Sequence, residues 1–292
     1  MERELYLALY QFVSHSQVRG KGWLYSTGTI VMVYWWAVVH DRPMYWAVDK
    51  RNWPDDLRPK VLPSQSTLSR RMRRPDVVEL MTEIENQFSA MVGAERRLIR
   101  IIDGKPLDVS NVSKDADAGY GRAAGGKHKG YKMYVVHAGG PTPLAWALAP
   151  MNVSEKTMAA ELIPTLPGEG YLLGDAEYDT NNLHDLAHES GHQLVAPKRE
   201  GKGLGHHRHS PYRLRCIELL KSRFGKTLLK YRKQIEREFG TLVSFGGGLT
   251  CLPAWVRGLQ RVRNWVHSKL LINAARWFRS NQFKLAELLA VA

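Results

Sequence analysis

Cysteine is almost absent: the 292 residues contain only Cys216 and Cys251, far apart and in no CxxC pair. This argues against a disulfide framework or a thiolate zinc site, and the cytoplasm is the expected setting. Long apolar runs are missing too. The longest, IVMVYWWAVV from Ile30 to Val39, is about half of the roughly 20 residues a bilayer crossing needs, so it predicts a buried helix and no membrane partner. The opening MERELYLALYQFVSHS lacks a basic region followed by an apolar stretch and a small-residue cleavage site, so no secretory signal is expected. Acidic charge is the third shortage. Forty-two Lys and Arg stand against 28 Asp and Glu, a net charge of +14 that suits a polyanionic partner.

Two further motifs fall short of the chemistry they suggest. GRAAGGKHKGYK, residues 121 to 132, lacks the spacing of a P-loop and precedes a strand where a P-loop would precede a helix, which argues against nucleotide binding. Its Lys127, Lys129 and Lys132 are instead expected along a DNA path, or in a solvated loop. GHHRHS supplies His206, His207 and His209, but with only Cys216 as a complement the ligand count for zinc fails, and a loop is expected.

The chain is long enough to bury a full core, and its pattern changes near residue 95. Residues 1–95 read as a smaller, mostly helical domain for DNA binding or assembly. Within it, Ser64 or Ser66 is placed to cap a short helix, STLSRRMRR, presenting Arg70, Arg71, Arg73 and Arg74 to DNA phosphates or to solvent. Residues 96–292 alternate β-like runs (RLIRIID, YKMYVVHAGG, PLAWALAP, GYLLGDA, HQLVAPKR) with helical ones and finish in helices. That order predicts an α/β fold with a mixed sheet and flanking helices. Trp255, Trp265 and Trp277 are spaced for packing in the last helical stretch.

Against the acidic shortage, three carboxylates stand in telling places. Asp103 closes RLIRIIDG and Asp175 closes GYLLGDAEYD, each expected where a short strand ends, although an Asp before a turn is a common structural feature. The third position is contested by Glu236 and Glu238 in KYRKQIEREFG. If Leu228, Tyr231, Ile235, Phe239 and Leu242 share one helical face, the two glutamates fall on its opposite flanks, so phase alone does not choose. Glu236 has Arg232 one turn before it, an i,i+4 pair. Carboxylates brought together in this way call for cations, and two Mg²⁺ ions are suited to phosphodiester displacement.

The ordered segments IIDGKPLDV, GYKMYVVHAGGPTPLAWALAPMNVSE, GDAEYDTNNLHDLAHESGHQLVAPKR and RKQIEREFGTL, spread over about Arg97 to Trp277, resemble a DDE transposase of the insertion-sequence superfamily that includes the IS4 and IS5 groups. The resemblance implies a ribonuclease H-like fold, with Asp103, Asp175 and Glu236 as catalytic metal ligands for two Mg²⁺ ions, Mn²⁺ substituting. It selects Glu236 because Arg232, Glu236, Arg237 and Phe239 fit the family's pattern around the glutamate. Leu229 and Val243 stand where the fuller IS4-type pattern has Tyr and Lys, so the roles of those two residues do not carry over. Asn152 and Glu155 resemble an Asn-x-x-acid segment of the family, with helix capping as the plainer use.

The activity implied is cleavage at element ends and strand transfer into target DNA. Double-stranded DNA would be the partner, with Arg232 and Arg237 at phosphates and a homodimer on the DNA. The alternatives are a transposase-derived DNA-binding protein without catalysis and a ribonuclease H-like nuclease without strand transfer.

Overall fold

The computed structural model describes residues 2–16, 24–198, 209–244 and 248–280. His206, His207, Gly246 and Gly247 lie outside them. The elements run α1 (Glu2–His15), α2 (Thr27–Val39), α3 (Met44–Ala47), α4 (Gln65–Arg71), α5 (Pro75–Met91), β1 (Ile99–Asp108), β2 (Gly119–Ala123), β3 (Gly126–His137), β4 (Ala145–Pro150), α6 (Glu155–Leu162), β5 (Gly170–Leu173), α7 (Asn181–Glu189), β6 (His192–Val195), α8 (Pro211–Lys221), α9 (Arg223–Lys230), α10 (Gln234–Val243) and α11 (Leu259–Ser280). Contacts divide them into two units: residues 1–91 with 241–292, and residues 92–240.

The helical unit is built around α2. Every residue from Ile30 to Val39 is buried, which is what an apolar run without an amphipathic stripe requires. Its first turn is closed by Ser26, whose hydroxyl accepts from the Thr29 amide. Helix α11, expected in the second domain, packs against α1, α2 and α5 in this unit. Buried polar contacts fix it there: Trp35 Nε1 donates to Ser268 Oγ at 3.1 Å, and Lys269 Nζ donates to Val38 O at 2.9 Å and to Asp41 Oδ1 at 2.5 Å. Each satisfies a donor that would otherwise be costly to bury. Of the three tryptophans read as packing residues, Trp265 is buried and Trp277 half-buried, while Trp255 lies exposed ahead of the helix.

The second unit holds a mixed sheet in the order β2-β3-β1-β5-β6, with β4 also paired to β3. Strands β2 and β4 share one edge of β3, the first along residues 126–130 and the second along residues 131–136. Pairing is antiparallel among β1 to β4 and parallel from β1 through β5 to β6. One face is covered by α6 and α7, whose Met158, Leu162, Leu183 and Ala187 bury Ile102, Tyr134, Val136, Leu172 and Leu194. This mixed sheet with flanking helices is the α/β, ribonuclease H-like architecture expected from the sequence.

Two local expectations change. Residues 119 to 130, expected along a DNA path or in a solvated loop, form a hairpin, and Gly125 and Gly126 turn it with φ of 86° and 138°, angles that favour glycine. The segment from Lys226 to Val243 is not one continuous helix. It is α9 and α10 separated by a 3-10 turn at Tyr231–Lys233, so Tyr231 is exposed while Ile235 is buried.

Candidate active site

Parallel pairing sets the level of the two aspartates. Ile101 faces Leu173 across β1 and β5, and each aspartate lies two residues farther along the chain, so Asp103 and Asp175 reach the same height and the same face. Asp103 was expected at the end of its strand, but β1 runs on to Asp108. What ends at that level is β5, so Asp103 lies where β1 loses its parallel neighbour, with its side chain only partly exposed. Asp175 begins the 3-10 turn Ala176–Tyr178, and its Oδ1 accepts from the Glu177 amide at 2.8 Å. Asp103 Oδ1 accepts from the Gly104 amide at 2.8 Å.

The electrostatics at Asp103 are those of a crowded carboxylate. Burial pushes its pKa up to about 6, against the pull of the Gly104 amide; the charges of Glu155 and Asp175 add to the rise and Arg232 opposes it. Arg232 Nη1 lies 3.8 Å from Asp103 Oδ2. Glu155, whose charge also acts on Asp103, stands in the first turn of α6. Ser154 caps that helix by accepting from the Thr157 amide at 3.1 Å, so capping falls to Ser154 and leaves Glu155 and Asn152 free of that duty.

Glu155 is approached through Gly104. A Cβ at position 104 would come within 2.9 Å of Lys132 Cδ and 3.4 Å of Glu155 Oε1, so the absence of a side chain there makes room for both. Lys132, expected on the DNA path, instead donates from Nζ to Glu155 Oε1 at 2.9 Å and is only 12% exposed. Beneath the cluster lies Tyr178, whose ring fills the space beside Gly174. Burial raises the pKa of its hydroxyl well above the ordinary value, with Glu155, Asp103 and Asp175 adding to the rise. That hydroxyl faces Glu155 without settling into normal hydrogen-bond geometry. Sequence reasoning passed over Tyr178; the available signal was an aromatic three residues after Asp175 in GDAEYD.

Glu236 and Glu238 occupy α10 differently. Glu238 is half-buried, with Oε2 3.8 Å from His137 Nε2, and burial raises its pKa. Burial also lowers the His137 pKa to about 4, with Arg97 adding to the fall, so the ring is neutral at pH 7 and the contact is not a full ion pair. Glu236 is exposed in the first turn of α10, and the charged groups acting on Asp103 are Glu155, Arg232 and Asp175. Arg237 is exposed one residue later.

The DNA-facing candidates separate by burial. Arg70 and Arg73 are exposed, and Arg74 is exposed with Nε 3.2 Å from Asp76 Oδ1. Arg71 is buried, donating from Nη1 to Tyr25 O at 3.0 Å and lying 3.4 Å from Asp76 Oδ2, so it holds the fold together and does not face a phosphate. Lys127 and Lys129 lie 5.8 Å and 5.9 Å from the Tyr120 ring centroid on the hairpin, and Lys129 Nζ also donates to Ser113 O at 2.7 Å. His209 lies 3.4 Å from Arg213 Nη1 through its Nδ1.

The residues fit a divalent cation in kind. Asp103 and Asp175 are oxygen donors that stand level where β5 ends. Among the described residues, no three His, Cys, Asp or Glu side chains are close enough together to hold an ion as they stand. No described helix is long and apolar enough to cross a membrane.

No curated protein matches the chain at a significant level. A family model described as the transposase DDE domain matches residues 94–272, over half of the chain and including both aspartates. On that match the chain belongs to the transposase DDE domain family, that of the IS4-type transposases, and a transposase function follows.

Proposed function

We propose that this protein cleaves DNA at the ends of a mobile element in a divalent-metal-dependent step and joins the freed 3′ hydroxyl to target DNA. The observation that supports this best is the shared level of Asp103 and Asp175 at the end of β5. Asp103, Asp175 and Glu236 would hold the metal. Its chemistry there is to polarise the phosphodiester and to make water or a hydroxyl nucleophilic near neutral pH.

The chain's own groups set the geometry. Asp103 is oriented by the Gly104 amide and Asp175 by the Glu177 amide, so each carboxylate keeps a second oxygen for a ligand. Arg232, next to Asp103, would meet a phosphate oxygen, and Arg237, Lys127 and Lys129 would extend a basic surface for the strand. Family resemblance supports Glu236, on the exposed first turn of α10, as the third ligand. The helical unit, with Arg70 and Arg73 on its surface, would supply end recognition, and the active species on DNA would be a homodimer.

The test uses double-stranded DNA carrying the element's ends and a target duplex. Asp103→Asn, Asp175→Asn and Glu236→Gln, each shown to be folded, are expected to lose Mg²⁺-dependent nicking and joining together. Retention of cleavage by all three would sink the reading.

A further inference from the structure

We propose that the helical unit holds a nucleobase pocket: a cavity walled by Tyr45 and Trp255 takes one unpaired base of the bound DNA, while Arg42 and Arg261 meet the adjoining phosphates. The inference rests on DNA as the partner in the reading above, and it adds a site made wholly by the helical unit.

The cavity has a volume of about 380 Å³, within the range of small-ligand sites, and is built from α2, α3, α4 and the start of α11 with the turn before it. Its two aromatic walls are held out and not packed away. Tyr45 is 62% exposed on α3, and the next residue, Trp46, stacks on Trp36, so the short helix is anchored through its neighbour. Trp255 is 43% exposed although Leu252 and Val256 around it are buried. Arg257 fixes that turn by donating from Nη1 to Pro253 O at 2.6 Å and to Val256 O at 2.8 Å. Aromatic side chains presented on a fixed backbone bind the face of a base with little left to order.

Charge and an unpaired phenol point to the same occupant. Among the described residues no Asp or Glu lines the cavity, whereas Arg42, Arg257 and Arg261 do, and Arg42 and Arg261 are exposed. Ser69 of α4 also lines it and lies 3.5 Å from Arg73 Nη2, so the cavity adjoins the exposed arginines of α4. Tyr34, from α2, is 5% exposed in the lining, and its hydroxyl has no hydrogen-bond partner among the described residues. Burial raises its pKa, opposed by the Arg261 charge, so the hydroxyl stays protonated. Such a donor is costly until an acceptor arrives, and the ring nitrogens and carbonyl oxygens of a base supply one. A peptide would also meet the aromatic walls, but three arginines and no acid favour a polyanion.

The test is equilibrium binding of the full chain, with a chelator present, to duplexes of one sequence that are fully paired, carry a single-nucleotide bulge, or carry the same bulge without its base. Wild type is expected to bind the base-bearing bulge about tenfold more tightly than the abasic one, since a bent duplex alone would favour both equally. Trp255→Ala and Tyr45→Ala should each lose most of that preference and keep their affinity for the paired duplex. Tyr34→Phe should lose part of it with every ring retained; an unchanged preference in that variant overturns the role of the hydroxyl. Equal binding of the two bulges by wild type, or an undiminished preference in both Trp255→Ala and Tyr45→Ala, overturns the pocket, and binding to the paired duplex in the same experiment leaves the DNA reading standing. No binding to any duplex overturns both. If an alanine variant does not fold by circular dichroism, Trp255→Leu and Tyr45→Leu, which keep apolar bulk without an aromatic face, serve for the comparison, and a wild-type preference in them overturns the proposal.

Discussion

Asp103 on β1 and Asp175 just past the end of β5 stand level because Ile101 pairs with Leu173 across these parallel strands and each aspartate follows two residues later. The burial of Asp103 has a cost in the absence of metal, and the Asp175 charge adds to it. The folded pKa of Asp103 is raised from 3.8 to about 6, so the stability this group contributes is full below pH 4 and is lost as pH rises through 6. At pH 7 the ionised group destabilises the metal-free fold by about 1–3 kcal/mol.

Asp103→Asn is therefore expected to raise the metal-free melting midpoint at pH 7 by several degrees while abolishing Mg²⁺-dependent cleavage. It should also remove the part of the stability change between pH 4 and 6 that belongs to this carboxyl. Thermal unfolding across that range with a chelator present checks it. An unchanged or lower midpoint at pH 7 would refute the burial argument.

Asp179 gives the opposite sign. Burial opposes its charge, but hydrogen bonds from Arg213 and His184 outweigh burial and hold its pKa at about 2. Arg213 reaches it through Nε and Nη2, both at 2.7 Å. The stability from this group is present above pH 4 and is lost as pH falls through 2. Since Asp179 closes the turn that begins at Asp175, Arg213→Ala should destabilise by about 3–5 kcal/mol at pH 7 by stranding a buried charge. It should also lower cleavage more than DNA affinity, which denaturant unfolding and a gel-shift assay together measure.

Much of this site was legible in the chain because local pattern carried it. IVMVYWWAVV is apolar on every side and could only be buried, and the β-like runs before Asp103 and Asp175 became β1 and β5. Long-range register was not legible. Gly104 and Pro106 suggested that the first strand stops at Asp103, yet β1 continues to Asp108. The Val109 amide donates to Lys129 O across to β3, so by alternation the Pro106 nitrogen faces the side where β5 has already ended, and no ladder donor is lost there. Glu155 lies 52 positions from Asp103 in sequence, and only the packing of α6 beside Gly104 brings it close. Of the face drawn through Leu228, Tyr231, Ile235, Phe239 and Leu242, only Tyr231 is exposed, and it lies in the 3-10 turn.

Gly104→Ala tests the gap directly. The new Cβ would meet Lys132 Cδ at 2.9 Å, the end of a flexible side chain that can yield. The expected stability loss is about 1–3 kcal/mol, typical of overpacking. The Lys132–Glu155 contact should be displaced with it. Thermal unfolding checks this, and a variant with wild-type stability would show that the gap has no such role.

The arginines at the end of α4 separate fold from recognition. Arg71 is 2% exposed and ties Tyr25, Thr27 and Asp76 together, whereas Arg70 and Arg73 face solvent. Arg71→Ala removes one partner of a buried ion pair and should cost about 3–5 kcal/mol of stability. Arg70→Ala and Arg73→Ala should leave the melting midpoint almost unchanged. If they contact phosphates, each should weaken binding to duplex DNA and reduce the slope of log affinity against log salt by about one. Melting curves and salt-titrated DNA binding on the three variants distinguish the two roles. A lower midpoint for Arg70→Ala with an unaltered salt slope would place that residue with Arg71 in the fold and remove it from the DNA surface.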